Sequence, residues 1–302
     1  MSTRRQSIQG FLFALPAIAF LLVFLVYPTI WTIILSFNTG KGLQFAKWIG
    51  FRNYTDLFTR DHQFIDLTHF PPSGAVFNNV LWVILNTGLC VGLGLVIAVL
   101  ADRIRYERIV KAVIFLPMAI AATAVAVIWL FVYSPSAQIG LLNAMLTTIA
   151  PGFQPQAWTG QTDTVNYAVI IANVWAQTGF AMVVLSAALK GIPAEILEAA
   201  RVDGANELGI FRRITLPMLS LPISVVTVTL IVWVIKVFDI IYIMTSGGPA
   251  GASRVIAYTM FVETFEGGNA GYGSAVAVIM LLLTIPIMLI NIRRFRSERV
   301  TR

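Results

Sequence analysis

Six apolar runs alternate with polar stretches along the chain, at roughly 11–37, 77–100, 111–133, 166–189, 218–243 and 273–292. Each is about 20 residues or longer, the length a helix needs to cross a hydrocarbon core of about 30 Å. Backbone inside lipid has no water to bond, so a run of this kind satisfies its own N–H and C=O groups by becoming helical. The pattern predicts an all-α integral membrane protein with six transmembrane helices, residues 1–302 forming a single transmembrane domain. Between the runs lie three longer polar stretches, 38–76, 134–165 and 244–272, and two others, 101–110 and 190–217.

Charge orients the spans. Two stretches and the two ends hold fifteen basic residues: Arg4 and Arg5; Arg103, Arg105, Arg108 and Lys111; Lys190, Arg201, Arg212 and Arg213; Arg293, Arg294, Arg296, Arg299 and Arg302. The opposite side holds Lys41, Lys47, Arg52, Arg60 and Arg254, and 134–165 has no Lys or Arg at all. Positive loops stay in the cytoplasm, so both termini are expected inside, with 190–217 an inner loop. The run after Arg4 and Arg5 is far longer than the 7–15 residues of a signal-peptide core, which favours a retained first span. The net charge of +7 is spread over separate loops. It therefore reports topology and contact with anionic lipid rather than nucleic acid.

At 58% hydrophobic and 12% charged, the composition excludes an ordinary soluble domain, where roughly a quarter of residues carry charge. Cys90 is the single cysteine, so no intrachain disulfide forms. His62 and His69 lie in a polar loop without the spacing of a metal site. Gly40-Lys41-Gly42 resembles a phosphate loop, but that pattern needs Gly at 35 and Ser or Thr at 42, where Leu35 and Gly42 stand. No nucleophile–base pair accompanies these residues, so the chain is not expected to be an enzyme. Leu15-Pro16, Leu116-Pro117 and Leu216-Pro217 recur near the inner ends of three spans, where a helix tolerates proline. Pro222 is placed to kink the fifth.

The residues offer two candidate sites. The inner loop 190–217 reads as two short helices: Ala194 to Val202 behind Pro193 at the first helical position, then Ala205 to Arg213. Gly204 supplies the left-handed turn between them. Glu195 and Glu198 suit the first helix's N-terminal half. Ile192, Ile196, Leu197 and Ala200 make it amphipathic, which fits a connector lying on the inner leaflet as well as a docking element. In the membrane, Lys236 and Asp239 stand at i,i+3 on the fifth helix with Trp233 and Tyr242 close by. Ionisable groups in lipid cost about 2.5–3.5 kcal/mol at mid-bilayer. That leaves a structural ion pair, a lysine reaching for the outer surface, or a site where aromatic faces and polar groups bind a polar solute. Asn173, Trp175 and Gln177 on the fourth helix are a further polar set, equally suited to bonding helices together.

Glu198-Ala199-Ala200, Gly204 and, nine residues on, Ile214-x-Leu216-Pro217 resemble the signature of the transmembrane subunits of binding-protein-dependent ABC importers. Several other stretches resemble the sugar-importer branch: Leu15-Pro16, Tyr27-Pro28, Ser36-Phe37, Gly50-Phe51-Arg52-Asn53-Tyr54, Gly140-Leu141-Leu142-Asn143, Phe238-Asp239 and Ser246-Gly247-Gly248-Pro249. The resemblance spans nearly the whole chain. It implies a permease subunit in a prokaryotic inner membrane that alternates between outward- and inward-facing states. It also implies that the inner loop docks into a separate ATPase, with Glu198 and Gly204 foremost and Ala199, Ala200 and Asp203 beside them. The implied partners are a second permease subunit, a cytoplasmic ATPase dimer that carries ATP and Mg, and an extracytoplasmic solute-binding protein. This chain itself carries no cofactor. The implied cargo is a disaccharide, oligosaccharide, polyol or glycerol-phosphate-like solute. A secondary transporter driven by an ion gradient is the rival reading. It would want paired acidic residues near mid-membrane, and the runs hold almost no ionisable side chains.

Overall fold

In a computed structural model of the chain, residues 13–40, 44–68 and 70–300 are described, with side chains as far as Asn291. Arg4, Arg5, Lys41, Gly42, His69 and Arg302, and the side chains of Arg293, Arg294, Arg296 and Arg299, therefore lie outside the described residues. The described chain is helical: α1 Phe13–Leu35, α2 Arg52–Thr59, α3 Ala75–Ala101, α4 Glu107–Ala119, α5 Ala122–Val132, α6 Leu141–Ile149, α7 Thr162–Lys190, α8 Ala194–Val202, α9 Glu207–Met218, α10 Ser220–Ile235, α11 Asp239–Met244, α12 Ile256–Phe261 and α13 Ala270–Val300. Four helices are long and apolar enough to cross a membrane, or up to six if each of two bent pairs is one span.

The third apolar run forms a bent pair of helices where one span was expected, and the fifth bends where Pro222 was placed to kink it. α4 and α5 meet at 102°, across extended backbone at Ile120 and Ala121. Pro117 tightens the preceding turn to a 3₁₀ helix and cannot donate a hydrogen bond. α9 and α10 meet at 64°. Pro222, on the first turn of α10, cannot bond the Met218 carbonyl and crowds it, so the chain turns there. A second interruption at residues 236–238 separates α10 from α11. In α1 the helix widens to a π turn at Leu22–Val26 just before Pro28, which accommodates the ring without a break.

Two compact units divide the chain, one of Met1–Asp61 with Thr259–Leu281 and one of His62–Tyr258 with Leu282–Arg302. In the first, only 6% of the most apolar window of α1 is buried within the chain, so this helix presents itself to lipid or to another subunit. The loop beyond it is knitted by asparagines. Asn38 Oδ1 accepts the N–H groups of Gly40, Ala46 and Lys47, and Asn53 donates to the carbonyls of Ser36 and Asn38. Phe37, Trp48, Phe51 and Tyr54 cluster around this knot.

In the second unit α7 is the central helix, with 61% of its window buried. It packs along α3, where Gly94 lets the backbones close: a Cβ there would meet Ala181 Cβ at 2.6 Å and Met182 N at 2.9 Å. Small residues are what permit such approach between spans, since lipid gives no hydrophobic drive for helices to associate. Segment 244–258, the part of the third polar stretch within this unit, is more than turns. Residues 255–258 are buried and α12 begins at Ile256, although Ser246 and Gly247 do turn with positive φ. Buried asparagines clamp the segment: Asn78 donates to the carbonyls of Ala252 and Arg254, Asn166 to Ala252, and Asn79 accepts the N–H of Ile256.

Candidate solute pathway and coupling loop

The break between α4 and α5 opens a cavity of about 160 Å³, lined by Pro117, Met118, Ile120, Ala122, Val125, Asn173, Ala176, Gln177, Trp233 and Ile240. Non-helical backbone at membrane depth is tolerated only where protein buries it or where it borders a polar cavity. Here the break borders a cavity whose lining is mainly apolar, with Asn173 and Gln177 as its polar groups. Asn173 donates to Asn86 Oδ1 at 2.8 Å, and Asn86 donates to Gln177 Oε1 at 3.3 Å, so α3 and α7 share one amide chain beside the cavity. Trp233 packs against Phe180 with ring centroids 4.9 Å apart.

Of the seven residues expected in the pathway, Asn173, Gln177 and Trp233 come together. Trp175, two positions from Asn173 and so on another side of α7, stacks edge-on against Trp129 at 5.9 Å. Lys236, Asp239 and Tyr242 do not line the cavity. Lys236 and Asp239 do not stand on one helix as their i,i+3 spacing suggested: α10 ends at Ile235, Lys236 is its cap, and Asp239 opens α11. Both are exposed, and among the described residues no ion pair joins them. Tyr242 instead stacks on Phe238 at 5.3 Å. Asn86 and the Ile120–Ala121 break were missed from sequence. An asparagine deep in an apolar run is the same signal that singled out Asn173, and it was there to be read.

Loop 190–217, expected on the inner side, is built around a glycine. α8 runs from Ala194 to Val202 as expected, with Pro193 as its N-cap rather than its first helical residue. Gly204 adopts φ +80. The Ala205 N–H reaches Ala200 O and the Gly204 N–H reaches Arg201 O, the paired bonds of a Schellman cap. Asn206 then caps the second helix by accepting the Gly209 N–H at 2.7 Å, so α9 starts at Glu207, two residues later than expected, and runs on past Arg213 through a π turn. Glu198, Ala199, Asp203 and Gly204 are exposed and Ala200 is half-buried. The loop is charged where it meets its neighbours. Glu207 bonds Arg201 at 2.9 Å and Arg103 at 3.1 Å; Lys190 reaches Glu107 at 2.6 Å, and Glu107 also pairs with Lys111. The bond to Glu207 holds Arg201 above even the usual guanidinium range.

The family profile described as "Binding-protein-dependent transport system inner membrane component" matches residues 90–293. The chain belongs to that family. This permease is 46% identical over 295 residues to the osmoprotective compounds uptake permease protein GgtC of Synechocystis sp., covering 96% of this chain and 100% of that one. It is 42% identical over 298 residues to the alpha-glucoside transport system permease protein AglF of Rhizobium meliloti, covering 97% and 84%. Among solved structures, a chain of a bacterial ABC transporter involved in the import of the acidic polysaccharide alginate matches with a TM-score of 0.80 at 24% identity, over 99% of this chain and 98% of that one. That likeness is one of fold. The permease is a multi-pass protein of the inner membrane.

Proposed function

We propose that this permease forms part of the translocation path of an ATP-driven importer of a carbohydrate, and that a separate ATPase with bound ATP and Mg drives it. The observation that carries the reading is the broken α4–α5 pair. It sets an amide chain and an indole beside a cavity in the unit that also bears the exposed inner loop. Amide donors and acceptors with an aromatic face suit a polyhydroxylated solute, which offers many hydroxyls and an apolar ring face. The relatives support the class: their names give alpha-glucoside, trehalose/maltose and lactose transport. At about 160 Å³ the cavity has room for about five waters. A sugar passes only if the cavity widens, as an alternating-access cycle requires.

In this reading the loop docks on the ATPase through Glu198, Ala199, Ala200, Asp203 and Gly204, a second permease completes the path, and a solute-binding protein delivers the sugar from outside. Purification of the tagged chain from its native membranes in mild detergent tests this. Co-purification of an ATPase, a second permease and a binding protein is expected, and the binding protein should then retain a carbohydrate. A lone chain that transports in liposomes without ATP would establish an ion-gradient-driven transporter instead.

A further inference from the structure

A push on α8 reaches the membrane only through what joins α8 to the spans. The covalent joints are two turns, residues 191–193 and 203–206. Apolar packing adds little, because α8 has no buried residue and its principal packing neighbour is α9. Beneath it lies a cavity of about 430 Å³, lined in part by Val99, Leu189, Leu197 and Phe211. The remaining joint is ionic. Arg201, on the last turn of α8, donates Nε–H to Glu207 Oε1 at 2.9 Å, and Arg103, two residues beyond α3, donates Nη2–H to Glu207 Oε2 at 3.1 Å. One carboxylate, one oxygen to each guanidinium, thus ties the loop to the inner end of the second span.

We propose that Glu207 is a positioning residue: by bridging Arg201 and Arg103 it passes displacement of the docked loop to α3, the helix whose Asn86 bonds the cavity-lining Asn173 and Gln177. The inference rests on the docking reading of Glu198 and Gly204. Its basis is the geometry of the bridge and not its strength. The Arg103 and Glu207 side chains are 61% and 51% exposed, and exposed ion pairs add little to stability. Substitutions at the bridge should therefore leave folding and assembly intact and alter coupling alone. Salt at about 1 M, where the Debye length falls to about 3 Å, should mimic them.

The test uses the assembled complex purified through a tag on this chain, with Cys90→Ala and a reporter cysteine at Ala176→Cys in the cavity wall. Three quantities are read: the amount of bound ATPase, ATP hydrolysis, and the ATP-driven change in maleimide labelling at position 176. Arg103→Gln and Glu207→Gln should keep the ATPase bound and hydrolysing while the labelling change falls about threefold, the scale of an exposed ion-pair network. Arg103→Lys, which keeps the charge, should retain most of the change. An undiminished labelling change in both Gln variants overturns the proposal. Loss of bound ATPase from them also overturns it, by making these residues part of the docking surface. Glu198→Lys is assayed alongside: loss of ATPase there supports the docking reading, and retention overturns both that reading and the load path built on it.

Discussion

At the scale of single residues, the informative positions are those where the backbone demands a particular side chain. Gly204 is one: at φ +80 a Cβ would meet nothing within 4 Å, so the demand is conformational and not steric. Asparagine tolerates the left-handed region and β-branched residues do not. Gly204→Asn is expected to keep the ATPase bound and Gly204→Val to lose it, as measured by co-purification. Asn53 makes another demand, since it alone donates to both the Ser36 and Asn38 carbonyls. Asn53→Ala leaves two buried acceptors without that donor and should cost about 1–3 kcal/mol, read as a lower Tm in detergent. Its place in the Gly50–Tyr54 stretch shows that this stretch, met in sequence as a family likeness, has a local structural purpose. Gly204 was legible in sequence because a cap is a local event. The role of Asn86 was not, because its partners stand 87 and 91 positions away.

At the scale of elements, periodicity and length located the helices, and prolines and glycines decided how they bend and meet. Pro222 announced the turn between α9 and α10 in advance. Pro117 announced nothing comparable, because proline near the start of a span is usually tolerated; here the chain leaves the helix three residues later. A one-dimensional apolar run cannot distinguish a straight span from a broken one, since both bury the same residues in the same order. Glycine contacts are equally silent in sequence. Gly92 and Gly94 look alike there, yet a Cβ at Gly92 meets nothing within 4 Å while one at Gly94 strikes α7. Gly94→Leu is expected to cost about 1–3 kcal/mol through overpacking, whereas Gly92→Ala should be neutral or stabilise by up to about 1 kcal/mol. Thermal melts of the two purified variants check the contrast.

At the scale of the whole molecule, charge placement predicts orientation. If the Arg-rich segments are inside, a fluorescent protein fused after Arg302 should glow in the cytoplasm, and alkaline phosphatase inserted at Gly152 should be active outside. The reverse pattern would invert the topology and remove the inner loop from any ATPase. α3 and α7 are joined by close small-residue contact at Gly94 and Ala181, by the Asn86–Asn173–Gln177 amides, and by the fully buried Trp82, whose indole N–H donates to Asn166 Oδ1 at 3.4 Å. Loop 190–217 is tied to the end of α3 by the Arg201–Glu207–Arg103 bridge, beside a cavity of about 430 Å³.

By itself the sequence determined that the chain is helical, that it belongs in a membrane, that its loop 190–217 is capped by a glycine, and that it lacks the phosphate-loop pattern. Each of these depends on runs, charges and caps within a few residues of one another. Only the tertiary structure decided that residues 107–132 and 207–235 each form a bent helix pair, that Asn173, Gln177 and Trp233 share a cavity while Lys236 and Asp239 stand apart from it, and that Glu207 joins two loops. These depend on which distant residues meet, and contact between positions a hundred residues apart is set by packing, which no local pattern records.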